Sequence, residues 1–282
     1  MEDLLRKLAN EFLQRPDAEC FIGYEEGPNG SVRPAFIRRP EDIHRLVWNQ
    51  KCYPNLTAYL PDFPKQKRVI GITVKGCDAR ALRELIRAHQ VERHSVYVVG
   101  LPCTGLKTPG EDRIAERCFG CVFPEAFQYD AALGPMKTPD GLARTEYETL
   151  DNLSNKERRE FWKLEFEKCI RCDACRKICY ACFCPECILD STQPRWLSRR
   201  QNLGEKLFFH SVRALHLVGR CIGCGECERA CPAGVRLMLL NRYLQKQLED
   251  LFGYRGAGIL EDAPPLLTFL RDDPDPFTGG FE

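Results

Sequence analysis

Apolar residues at Leu4, Leu5, Leu8 and Phe12 recur at helical spacing, so residues 2–14 are predicted to form an amphipathic helix. Residues 41–48 read as a second short helix, followed by a loop that carries Cys52 and Pro54. The run RVIGITV (68–74) is apolar and β-branched, as a buried strand requires. Residues 78–88 return to helical spacing, with Asp78 as the N-cap and Leu82, Leu85 and Ile86 facing inward. SVYVVG (95–100) is a second strand, and strand, helix and strand together predict a βαβ unit with a parallel pair. A polar stretch near 134–156 marks a boundary. Beyond it, charged residues 156–168 and an insertion around 204–219 read as helices, and residues 235–252 place Leu237, Leu240, Leu244, Leu248 and Leu251 on one helical face. The expectation is an α/β domain with a short parallel sheet over 1–150 and a mainly helical domain over 151–254. An extended Gly-, Pro- and Asp-rich tail over 255–282 is expected to dock on a partner.

Composition changes this picture at one residue type. The 41 Lys and Arg nearly balance 40 Asp and Glu, for a net charge of +1, which gives no electrostatic case for nucleic acid or an anionic membrane surface. No apolar run is long enough to span a bilayer, and the charged N-terminal stretch MEDLLRKLANEF lacks the core of a signal peptide. A cytoplasmic protein is therefore expected. The 17 cysteines stand out: in a reducing compartment such a count points to metal ligation, and an odd number fits a disulfide framework poorly.

Eight cysteines form two copies of one motif. The first is Cys169-x2-Cys172-x2-Cys175-x3-Cys179, and the second is Cys221-x2-Cys224-x2-Cys227-x3-Cys231-Pro232. Three thiolates at this spacing wrap one face of a 4Fe–4S cubane, while the fourth begins a helix and serves the other cluster. The first cluster is thus expected to take Cys169, Cys172, Cys175 and Cys231, and the second Cys221, Cys224, Cys227 and Cys179. Tyr180 follows Cys179 where proline is usual, and nearby Cys182 is an alternative ligand. Zinc is the competing metal, but zinc sites use two CxxC pairs rather than repeated triplets with a trailing fourth cysteine.

Cys77 and Cys103 each follow a predicted parallel strand by three residues, which puts both at the carboxyl edge of the sheet, where open α/β sheets bind ligands. With the pair Cys118 and Cys121 they form a candidate third cluster site, for which Cys52 is an alternative member. Their competing reading is inert loop thiols and a zinc or redox pair. Cys182, Cys184 and Cys187, joined by Cys52 or one of the preceding group, are candidates for a fourth site, while Cys20 is read as structural. His44, His89, His94, His210 and His216 show no catalytic or ligand spacing, although His210 and His216 lie near the second motif. Asp78, Glu84 and Asp173 are read as caps or solvated residues. No GxGxxG after a strand and no Walker A motif is present.

VKGCDARALRELI, VYVVGLPCTG, CFGCVFPEA and the segment from LVGRCIGCGECERACP to LEDLFGY together resemble dicluster iron–sulfur proteins related to deazaflavin-dependent hydrogenase and dehydrogenase beta subunits. Relatives of that family also accompany heterodisulfide-reductase-type complexes. WKLEFEKCIRCDACRKICYACFCPEC is similar to the ferredoxin segment of sulfhydrogenase and anaerobic sulfite reductase subunits. The resemblance covers about Lys51 to Tyr254. It implies an anaerobe's cytoplasmic redox complex in which this chain relays electrons to hydrogenase, dehydrogenase, flavin or heterodisulfide-reductase-like subunits. It also implies that FAD can accompany such a chain, making it a catalytic subunit that reduces a deazaflavin, although no flavin-binding motif matches here residue by residue.

Overall fold

The computed structural model describes residues 1–63, 68–108, 111, 113–124, 126–138, 148–261 and 263–265. Helix α1 (Glu2–Leu13) buries Leu5, Ala9 and Phe12. Leu4 is exposed rather than on that face, because each helical residue turns by about 100° and Leu4 falls to one side of the Leu5 stripe. Residues 41–48 do not form an α-helix. Pro40–Arg45 makes a 3-10 turn, and Leu46 then pairs with Glu25 as an isolated bridge, ending the turn in extended backbone.

Five strands form one sheet in the order β2-β1-β3-β4-β5: β1 (Ala18–Glu26), β2 (Val32–Ile37), β3 (Val69–Val74), β4 (Val96–Gly100) and β5 (Ala131–Ala132). β1, β3, β4 and β5 run parallel, and β2 is antiparallel to β1. The predicted βαβ unit is β3, helix α2 (Gly76–Arg87) and β4, with Ile70 opposite Val96 and Ile72 opposite Val98. Strands β1, β2 and β5 extend the sheet beyond the expected pair. Helix α2 starts earlier than its sequence predicts. Lys75 is the N-cap, and Asp78 sits one turn in, where its carboxylate accepts from the Lys75 N–H at 3.4 Å.

Residues 139–147 of the expected boundary lie outside the described residues. After α3 (Glu148–Asp151) comes α4 (Asn155–Glu167), capped by Ser154: Glu157 N–H donates to its Oγ, and its own N–H donates to the Glu157 carboxylate at 2.9 Å. Short helices α5 (Ala174–Lys177) and α7 (Glu226–Arg229) carry the third cysteine of each triplet and end before the fourth, which therefore follows a helix rather than beginning one. Between them lies α6 (Leu203–Leu217), the predicted insertion helix. Helix α8 (Leu237–Phe252) buries Leu237, Met238 and Leu248 together with Asn241, Arg242 and Gln245. Leu251, expected on its apolar face, is exposed at the last turn. The core of the sheet takes in Tyr180, Leu217, Ile222 and Ala257 from the C-terminal half, so the two halves share one interior.

The chain beyond α8 turns back instead of extending away. Tyr254 Oη donates to the Gly219 carbonyl at 3.0 Å, Arg80 Nε to the Ala257 carbonyl at 2.8 Å, and Arg83 to the Ile259 carbonyl at 2.8 Å. This return uses within the chain the segment expected to meet a partner, and residues 266–282 of the expected tail lie outside the described residues. Gly258 sits at φ +65, and a Cβ there would press on the Arg80 carbonyl. Gly258→Ala is therefore expected to lower unfolding free energy by about 1–3 kcal/mol in denaturant titrations, from left-handed strain plus overpacking.

Candidate iron–sulfur centres

The first thiol set is built by the loop that leaves α4. Cys169 and Cys175 are buried and Cys172 is exposed. Burial raises the Cys169 thiol, and Cys231 and Cys172 raise it further, so the cysteine at the end of the second motif lies beside the first loop. Cys175, pushed up to about 11 by burial, also feels Cys169 and Cys231. Backbone N–H groups point at these sulfurs, from Arg171 to Cys169 at 3.3 Å and from Val235 to Cys231 at 3.4 Å.

The second set is reciprocal. Burial raises Cys224 to about 12, with Cys179 and Cys221 among the nearby thiols, and Cys227 is raised well above its ordinary value by burial with Cys179, Cys221 and Cys224 around it. Cys179 is lowered to about 6, first by a hydrogen bond from Cys182. Cys179 thus lies among the thiols of the second loop, and Cys182 donates to it from outside. Tyr180 has the strapping role that proline cannot fill: its buried ring sends the hydroxyl to the Arg220 carbonyl, one residue before Cys221. Cys231 thus neighbours Cys169 and Cys175, and Cys179 neighbours Cys221, Cys224 and Cys227.

At the carboxyl edge of the sheet, Cys77, Cys103, Cys118 and Cys121 line one cavity. The predicted positions after β3 and β4 account for the first two, and the CxxC turn brings the others. Leu106 N–H donates to Cys118 Sγ at 3.2 Å, and burial raises Cys103 to about 11. Cys52 is fully buried beside Cys103, with Asn49 N–H 3.3 Å from its sulfur, but it does not line this cavity. Cys224 does, along with Ile222 and Gly223, so this cavity and the second thiol set share a wall.

Cys182, Cys184 and Cys187 line a separate pocket with Arg176, Arg213 and Arg220. Neither Cys52 nor any thiol of the sheet-edge group lines it, which removes the fourth ligand expected there from this chain's N-terminal half. Cys20 is buried in β1 and raised to about 11 by burial, consistent with a structural thiol. Among the described residues no three His, Cys, Asp or Glu groups are placed to hold a single metal ion. Cysteine sulfurs gathered on two converging loops, with backbone N–H groups aimed at Cys169 and Cys231, are the donor set that a 4Fe–4S cubane takes.

Sequence reasoning missed the cationic residues of these sites. Lys75 is buried, and its Nζ donates to Asp78 at 2.8 Å, to Tyr24 Oη at 2.6 Å and to the Pro54 carbonyl at 2.9 Å. Burial alone would lower its pKa, but Asp78 and Tyr24 hold it well above the ordinary value, so the ammonium stays charged beside Cys77. Arg117 joins three segments, donating to the Tyr53 carbonyl at 2.7 Å, the Cys224 carbonyl at 2.8 Å and Glu226 at 2.6 Å. Gly225 lets it come close, because a Cβ there would lie 2.9 Å from Arg117 Cδ, and its φ of +73 favours glycine. Nothing in the spacing of charged residues distinguishes these buried cations from solvated ones. Asp78, read as a cap, does accept from the Lys75 N–H at the start of α2 and is also the buried ion-pair partner of Lys75, while Glu84, read as a cap or solvated group, is buried against Arg87 at 2.9 Å.

His210 stacks on Phe166 with ring centroids 4.5 Å apart, so its ring is engaged by packing. Burial, then the Arg213 charge, lowers its pKa to about 4. The unfolded chain, titrating near about 6.5, binds this proton more readily, so stability should rise with pH across that interval and fall away as pH drops from about 6.5 toward 4. The full effect is about 3 kcal/mol. Denaturant titrations between about pH 5 and 6.5 should show a shallower slope for His210→Phe than for the parent.

A family model for the 4Fe–4S dicluster domain matches residues 165–235. Along most of its length the chain is similar to the F420-dependent formate dehydrogenase subunit beta of Methanocaldococcus jannaschii, 23% identical over 336 residues that cover 84% of this chain and 86% of that protein. It is also similar to the F420-dependent formate dehydrogenase 1 subunit beta of Methanococcus maripaludis, 24% identical over 330 residues covering 83% and 84%. Among the described residues no helix is long and apolar enough to cross a membrane.

Proposed function

We propose that this chain, which carries a 4Fe–4S dicluster domain and is related to deazaflavin-dependent dehydrogenase beta subunits, is the electron-relay subunit of a cytoplasmic oxidoreductase complex of an anaerobe. Its partners would be the other subunits of a formate dehydrogenase, hydrogenase or heterodisulfide-reductase-type assembly. One observation carries the reading: Cys224 of the second loop lines the same cavity as Cys77, Cys103, Cys118 and Cys121. Three thiol sets therefore follow one another through the interior, the first two by exchanging Cys179 and Cys231 and the last two by a common wall. A cubane held in each set supplies one-electron uptake and release. The chain's own residues hold the thiolates, exclude water through the shared core, and aim backbone N–H groups at Cys169, Cys231 and Cys118. Such N–H contacts and burial set reduction potential.

Iron and acid-labile sulfide assayed without oxygen test the reading. About twelve irons per chain are expected, against about eight for the ferredoxin pair alone and about sixteen if Cys182, Cys184 and Cys187 hold another cluster. Cys118→Ser should remove about four of the twelve. A colourless protein without sulfide would sink the proposal.

A second reading, a flavin-bearing subunit that reduces a deazaflavin, has one observation in its favour. A pocket between Tyr53 and α8 is lined by Arg113, Arg117, Arg229, Arg236 and Arg242, with Glu116 and Glu228 the acids on its wall. Excess guanidinium suits the phosphate of such a carrier. Stoichiometric flavin released from the purified chain would favour this reading.

A further inference from the structure

Arg213 stands on α6, the insertion between the two cysteine motifs, and is 4% exposed. One terminal nitrogen donates to the Cys175 carbonyl at 3.0 Å, and its buried Nε has no hydrogen-bond partner. Against the cost of burial, the charges that favour its cation are the sulfurs of Cys227, Cys179, Cys175 and Cys182. Cys175 belongs to the first thiol set and Cys179, which also hydrogen-bonds Arg213, to the second, so one guanidinium adjoins a member of each.

A buried, uncompensated guanidinium costs several kcal/mol, and the group cannot shed its proton to escape that cost. Neutral thiols do not supply that countercharge, and the one thiol held low, Cys179, is itself lowered in part by Arg213. Thiolates around an iron–sulfur cubane do, because the assembly is anionic and gains one more negative charge when reduced. We propose that Arg213 is the common countercharge of the two ferredoxin-type clusters, raising both reduction potentials and easing the repulsion between two reduced clusters. The inference rests on the reading of the eight cysteines as ligands of those clusters. In this role Arg213 is a positioning residue for charge and ligates nothing.

The experiment is a redox titration of the full chain, followed by electron paramagnetic resonance, alongside iron and sulfide analysis. Arg213→Gln should keep the parent's iron and lower both ferredoxin-type potentials so that the reduced-to-oxidised ratio at a fixed applied potential drops about tenfold, equivalent to about 59 mV for a one-electron couple. Arg213→Lys, which keeps the charge, should restore at least half of that change. If Arg213→Gln holds no clusters, His216→Glu decides. His216 is exposed, lines the pocket beside Arg213 and lies three residues further along the same helix, so a carboxylate there should lower the potentials in the same direction, about threefold. Unchanged potentials in iron-replete Arg213→Gln, an equal drop in Arg213→Lys, or, where that first variant is empty, no change in His216→Glu would overturn the inference. A parent chain without iron or sulfide would instead remove the reading beneath it.

Discussion

Cys179→Ala and Cys172→Ala, each expected to strip about four irons from the chain, should together strip about eight. The two cysteines belong to one sequence motif, and a cluster held by that motif alone would make the double variant lose no more than either single one. The expectation of additive loss follows from where the thiols lie. Cys172 is in the loop with Cys169 and Cys175, while Cys179 lies among Cys221, Cys224 and Cys227. Cys182→Ala is the control. It removes the hydrogen bond to Cys179 without removing a member of either set, and iron should stay at the parent level. Iron and sulfide determination on the three variants and the double one is sufficient. A double variant that retains about four more irons than expected would return Cys179 to its own loop.

Lys75→Met should lower stability by about 3–5 kcal/mol, because it leaves the Asp78 carboxylate buried with no cation. Lys75 and Asp78 are 1% and 0% exposed and 2.8 Å apart, so neither can turn to water when its partner is lost. The pair Lys75→Met with Asp78→Leu removes both charges, and most of the loss should return. Chemical denaturation of the single and double variants measures both numbers. The single variant falling by less than about 1 kcal/mol would mean that Asp78 takes up a proton at little cost.

Local chemistry was legible along this chain wherever a short pattern had one structural solution. The βαβ unit of β3, α2 and β4 follows from two β-branched runs flanking a helical stripe, and that unit alone places Cys77 and Cys103 at one edge. The cysteine triplets likewise specify their loops. Strand β1 was not legible because it is buried on both faces from Cys20 to Glu25, so AECFIGYEE shows no alternation of apolar and polar positions. The helix expected over 41–48 failed because the register of Leu46 against Glu25 overrides the local spacing. Lys75, Arg117 and Arg213 were illegible for another reason: their burial is decided by segments distant in sequence, and the chain holds 41 Lys and Arg of which nearly any might be solvated. For Arg213 a faint signal existed in its place one turn after Phe209 within LFFHSVRALHL, on the side of α6 that is buried.

Among the eight ferredoxin-type cysteines, Cys172 is the most open to solvent, the others being buried or half-buried. On the proposed reading the thiol sets are unequal ends of a wire: one terminal reaches the surface, and the other opens into a lined recess at the carboxyl edge of the sheet. A docking protein that exchanges charge with this chain meets the surface terminal first, and covering that corner would insulate the whole conductor while leaving every ligand in place.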